Sequence, residues 1–115
     1  MVTPFPDYPL LCEWWHAQKW PCPPEMFLPG HGAMIDRMAA GYLYLAPPGA
    51  WIEWLVTDPR APVLARVKAL REVIRRLEDM AVAAGMKFVF TSTNRASLAR
   101  LLETQDWSLG DVDTN

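Results

Sequence analysis

The sequence predicts a single α/β domain. Its mixed sheet is an antiparallel meander that runs into a β-α-β unit, with helices on both faces. Three observations carry this. Short segments of β character follow one another between residues 33 and 57, separated by turn residues. A helical apolar stripe then runs from Pro62 to Ala84 and stops at Gly85. Directly after it comes "MKFVFTS", a further strand, so strand, helix and strand form a crossover.

Each element has a local reason. The start, "MVTPFPDYP", is broken by proline and reads as extended. Asp7 is placed to cap a helix over 8–20 with Pro9 in its first turn, and Leu11, Trp14, Trp15 and Gln18 share one side. "PCPPEMFLPGHG" is a loop, because three of its first four residues are proline. "AMIDR" is a weak first strand ending in a tight turn at Asp36 and Arg37, and "AAGYLYLA" is the second strand. Pro47, Pro48 and Gly49 make the next turn, and "AWIEWLVT" is the third strand. Strict alternation puts Ile52, Trp54 and Val56 on one face of it and Trp51, Glu53 and Leu55 on the other. Both faces are largely apolar, which predicts a central strand covered on both sides. In the long helix the stripe is Val63, Val67, Leu70, Ile74, Leu77, Ala81 and Ala84, with Pro62 suited to the first turn and Gly85 to the cap. A strand over 86–92 follows. Asn94 then caps a last helix with Leu98, Leu101 and Leu102 inward.

Composition narrows the function classes. With 115 residues the chain suits one domain, 1–115, with a real core. The net charge is −2 and no run of Lys or Arg occurs, so nucleic-acid binding has no electrostatic support. The basic residues between Arg66 and Arg76 are interleaved with acids and read as a solvated helix face. Cys12 and Cys22 can pair only if the fold brings them together. No secretory signal pattern is present, so reduced thiols in a cytoplasmic protein are the expectation. They form no CxxC, and His16 and His31 have no zinc-ligand spacing, so no metal is expected. No apolar run approaches the roughly 20 residues of a membrane span.

The segments "WLVTDPRA", "ALREVIRRLEDMAVAAGMKFVFTSTN" and "SLARLLETQDWSLGD" stand in the order of a known core. Over residues 33–110 the chain resembles the GNAT N-acetyltransferase superfamily, and helix 8–20 matches that family's first helix. It is similar also to short GNAT-like proteins of tailed phages. The resemblance implies a GNAT-like sheet whose two central parallel strands, here 50–57 and 86–92, part to admit the pantetheine arm of acetyl-CoA. It implies transfer of an acetyl group from acetyl-CoA to an amine. The few residues after Trp107 leave little for the family's late strands, so a homodimer is expected to cover the exposed sheet edge.

Specific residues follow from the same resemblance. The family's phosphate loop has the form Gln/Arg-x-x-Gly-x-Gly/Ala, and "RAPVLAR" stands in its place. Val63, Leu64 and Ala65 would offer backbone N–H groups at a helix start, with charge from Arg60 and Arg66. The loop has no glycine, Pro62 lacks a donor, and Val63 and Leu64 add bulk. A proline that simply starts a helix explains the same stretch. Strand N–H groups around Leu55, Val56 and Thr57 would polarise the thioester carbonyl. Glu53 matches a strand carboxylate that serves as base, and it reads equally as a solvated or paired acid. Asn94 falls at a family position and is also an ordinary N-cap. The family's general-acid Tyr is replaced by Leu102, which cannot donate a proton. Tyr42 and Tyr44 share a strand face placed either to pack or to line a pocket. Two functions fit: an acetyl-CoA-dependent N-acyltransferase, or a catalytically inactive scaffold of the same fold that binds another protein.

Overall fold

Two tight turns and one crossover helix order the strands. The computed structural model describes Val2–Thr3 and residues 7–91; the expected last helix, with Asn94 and Leu102, lies outside them. Strands β1 (Val2–Thr3), β2 (His31–Ile35), β3 (Ala39–Ala46), β4 (Gly49–Thr57) and β5 (Phe88–Thr91) lie side by side in sequence order. The first three pairings are antiparallel and β4 pairs parallel with β5. Helix α1 (Tyr8–Ala17) covers one face and α2 (Val63–Ala83) the other. The mixed sheet, meander and crossover are those the sequence predicts, and β3 has the predicted bounds. β2 starts two residues earlier, at His31.

The β2–β3 turn places Asp36 and Arg37 in the left-handed region, each at φ 51°. They are the central residues of a turn closed by the Met38 N–H on the Ile35 carbonyl at 2.9 Å, and two successive left-handed residues suit the twist of hairpin strands. Helix α1 starts as expected: Asp7 accepts from the Leu10 N–H at 3.4 Å and Pro9 lies in the first turn. It ends at Ala17 rather than near 20, because Lys19 turns left-handed at φ 61° and the Trp20 N–H closes onto the Trp15 carbonyl. Its Leu11, Trp14 and Trp15 bury against Met34, Ala40, Tyr42 and Val56.

The structure overturns the reduced-thiol expectation. Cys12 on α1 and Cys22 on the loop that returns beside it form a disulfide, with Cα atoms 5.4 Å apart. The helix end at Lys19 reverses the chain and brings the two together, which spacing alone does not reveal. Unreduced denatured protein is therefore expected to resist alkylation, and reduction to release both thiols, read by mass. Opening this short loop is expected to cost about 2–3 kcal/mol of stability.

On the other face, Ala33, Ile35, Leu43, Ala50 and Ile52 pack against Ala69, Val73, Ile74, Leu77 and Ala81 of α2. The stripe holds in the middle of the helix and fails at its ends: Val63 and Ala84 are exposed, while Ala69 and Val73 are core. A strict alternation of three and four repeats every 3.5 residues. An α-helix repeats every 3.6, so the stripe drifts about 20° per heptad and leaves the sheet. Gly85, at φ 81°, ends the helix. Its N–H bonds to the Val82 carbonyl and that of Met86 to the Ala81 carbonyl, a left-handed cap that glycine adopts without strain.

Candidate active site at the β4 bulge

Alternation along β4 breaks once. Ala40 pairs with Val56 and Tyr42 with Glu53, so Trp54 and Leu55 together oppose Gly41. Trp54 takes up the extra residue in the left-handed region, at φ 62°. The predicted faces are corrected accordingly. Leu55 joins Ile52 against α2, whereas Trp54 packs with Val56 on the α1 side. Gly41 makes this possible: a Cβ there would lie 2.6 Å from Leu55 Cδ2. A bulge re-aims side chains and interrupts the ladder, which is why bulges gather near active sites.

The bulge is held from the α1 side. Trp15 meets Trp54 edge-on, with ring centroids 5.6 Å apart, and Tyr8 meets Trp15 at 6.5 Å. Trp54 Nε1 donates to the Tyr44 hydroxyl at 3.1 Å, and that hydroxyl donates to the Phe27 carbonyl at 3.3 Å. Phe27 ends a 3-10 turn, Glu25–Phe27, so this chain of bonds brings the loop down onto the sheet.

Glu53 is half-buried on the same face, directly across from Tyr42. Burial pushes its carboxyl above the ordinary glutamate value. Tyr42 is 6% exposed, and its phenol is pushed up to about 12 by burial first and then by Glu25, Tyr44 and Tyr8. A hydroxyl so raised stays protonated and acts as a donor near neutral pH.

Of the predicted cofactor residues, Val63, Leu64 and Ala65 form the first turn of α2 and Arg66 follows. The Arg66 N–H bonds to the Pro62 carbonyl at 2.9 Å, which leaves the preceding N–H groups without an intrahelical acceptor. Pro62 supplies no side-chain cap. Val63 and Leu64 are exposed, so their bulk lies in solvent. The buried Nε of Arg66 has no hydrogen-bond partner. Arg60 is engaged differently: its N–H donates to Asp58 Oδ1 at 2.9 Å and its Nε lies 3.8 Å from the same oxygen. The helix start thus keeps open N–H donors, whereas the Arg66 Nε is buried away from solvent.

Val56 and Thr57 pair with Ala40 and Ala39 of β3 on one side, while Leu55 lies in the bulge. On the other side, the last described β4–β5 pair is Ile52 with Thr91, where Thr91 Oγ1 donates to the Ile52 carbonyl at 2.9 Å. Asn94 lies outside the described residues; Glu53 stands next to the bulge on the α1 side of β4, whereas α2 covers the opposite face. Sequence reasoning missed Trp54, whose left-handed backbone shapes the site; a glycine facing it in the neighbouring strand was the available signal. Among the described residues no group of three or more His, Cys, Asp or Glu could hold a metal, and no helix is long and apolar enough to cross a membrane.

No family model matches this sequence, and no curated protein matches it. Similarity appears in the fold. A candidate acetyltransferase from Agrobacterium tumefaciens str. C58 superposes with TM-score 0.74 at 17% identity, over 98% of this chain and 96% of that one. A candidate acetyltransferase of the GNAT family from Novosphingobium aromaticivorans DSM 12444 superposes with TM-score 0.66 at 18% identity, over 90% of this chain. This chain spans about half, 49%, of that protein's length. Two such superpositions, across nearly the whole chain, establish that the protein has the GNAT fold.

Proposed function

We propose that this protein is an N-acyltransferase that moves an acetyl group from acetyl-CoA to an amine. The observation that carries the reading is Glu53: a half-buried carboxylate beside a β4 bulge, on the strand that leads to an uncapped helix start. Acetyl-CoA supplies the activated acyl group. The first N–H groups of α2 with Arg66 hold its phosphates, and Arg60 contributes only by giving up Asp58. Backbone N–H groups of Leu55 to Thr57 polarise the thioester carbonyl. Glu53 takes the ammonium proton, so that a neutral amine attacks the carbonyl. The C–N bond forms, the C–S bond breaks, and the thiolate takes a proton from water.

A second reading, a scaffold of the same fold that binds a protein or a second copy, is favoured by one feature. Trp51, Phe88 and Phe90 form an exposed aromatic row at the β4–β5 side, with Trp51 and Phe90 stacked at 4.8 Å. Calorimetric titration separates the two. Acetyl-CoA and free CoA are expected to bind with micromolar affinity, about −8 kcal/mol. No binding at millimolar ligand would overturn the cofactor reading and leave the scaffold.

A further inference from the structure

The Cys12–Cys22 disulfide ties helix α1 to the loop that reaches the β4 bulge. We infer that it is a redox switch: a dithiol reductant opens it and lets the Glu25–Phe27 turn leave the bulge, and a disulfide oxidant closes it again. Release of the turn rests on geometry; that release lowers acetyl transfer rests on the acyl-transfer reading.

Cys22 stands between Pro21 and Pro23, Pro24 is next, and the 3-10 turn Glu25–Phe27 follows directly. Each proline fixes its φ, so this stretch is a stiff arm and a tether at Cys22 also sets the place of the turn. The Tyr8 hydroxyl donates to the Pro23 carbonyl at 2.7 Å and lies 3.4 Å from Cys22 Sγ, which holds the near end of the arm. At the far end, the Phe27 carbonyl accepts from the Tyr44 hydroxyl at 3.3 Å, and Trp54 Nε1 donates to the same hydroxyl at 3.1 Å. A hydrogen bond this long, between exposed groups, trades with water for little net gain. The covalent tie is therefore the stronger constraint on where the turn sits.

The fold itself does not need the tie. Small domains depend on disulfides where they cannot build a core. This chain buries Leu11, Trp14 and Trp15 on one face of the sheet and Val73, Ile74 and Leu77 on the other. Helix α1 is thus anchored by its own apolar side. Both cysteines are partly exposed, so a dithiol can reach the sulfurs, and accessible disulfides are the labile, regulatory ones. One thiolate of the dithiol attacks one sulfur of the pair, and the other sulfur leaves as a thiolate. The second dithiol sulfur then displaces the first cysteine. Two electrons pass to the pair, Cys12 and Cys22 each take a proton, and the dithiol closes to a cyclic disulfide.

The test is hydrogen exchange, read by mass, on the whole protein before and after reduction with dithiothreitol. Amides in residues 18–28 are expected to exchange about tenfold faster once reduced, among them those of Trp20, Phe27 and Leu28, which bond to the Trp15, Pro24 and Glu25 carbonyls. Residues 54–57 are expected to exchange about threefold faster, while residues 69–81 of α2 keep their protection. Oxidised glutathione is expected to restore the first pattern. Cys12→Ser combined with Cys22→Ser is expected to match the reduced protein with or without dithiothreitol. Acetyl transfer to 1-aminobutane is expected to fall about fivefold on reduction. Unchanged exchange in residues 18–28 after full reduction would overturn the inference. So would loss of protection throughout α2, which would make the disulfide a staple of the fold, and so would transfer that is equal in both states. Release of the loop in a protein that binds no acetyl-CoA would leave the switch standing and remove acyl transfer.

Discussion

Replacing Glu53 by Gln is expected to lower acetyl transfer by about 10²–10³-fold, the size of a general-base contribution. The amide keeps the shape of the side chain and its place opposite Tyr42, so the fold is expected to survive. Rate against pH supplies the second signature. Burial raises the Glu53 carboxyl above its ordinary value of 4.5, and only the ionised form can take the amine proton. In the native protein kcat/KM therefore rises with pH through the raised value, and in Glu53→Gln that limb disappears. Stability has the opposite sign. The folded state holds the Glu53 proton more tightly than the unfolded chain, so stability falls as pH climbs from 4.5 to the raised value. Glu53→Gln is expected to flatten that slope. Turnover unchanged in the variant would exclude Glu53 as the base and return it to the status of a desolvated strand acid.

Much of the scaffold was legible because it is written locally. Asp7 with Pro9, the Asp36–Arg37 turn, the bounds of β3 and the left-handed Gly85 each depend on a few neighbouring residues. What was not legible depends on residues far apart in the chain. Alternation kept Trp54 with Val56 but wrongly set Ile52 with them and Leu55 with Glu53, because the bulge is a relation between β4 and Gly41 on another strand. The disulfide needed the reversal at Lys19. Arg60 looked free in "RAPVLAR", although Asp58, two residues before it, already holds it. The missing loop glycines predicted a poor phosphate site. The exposed side chains of Val63 and Leu64 weaken that objection, since bulk that lies in solvent leaves the backbone N–H groups open.

Trp15→Ala is expected to destabilise the fold strongly, with a loss of about 3–5 kcal/mol. Trp15 is fully buried, and its indole N–H has no hydrogen-bond partner, so the loss comes from packing alone. For a domain of this size each kcal/mol lowers Tm by about 4 °C, so thermal unfolding should move down by roughly 12–20 °C. Trp14→Ala is the matched control: it removes an equally large side chain, 1% exposed and likewise unbonded at Nε1, from the next position on the same helix. The two differ in what they touch. Trp15 carries the edge-on contacts to Trp54 and Tyr8, so its removal frees the ring that fixes the left-handed residue of β4. Both variants should lose comparable stability. Trp15→Ala alone should also weaken amine binding, measured well below its lowered Tm, because Trp54 then no longer holds Tyr44 and the Glu25 turn in place. Equal losses of binding in both variants would mean that the α1 core supports the sheet as a whole and that no special path runs from Trp15 to the bulge.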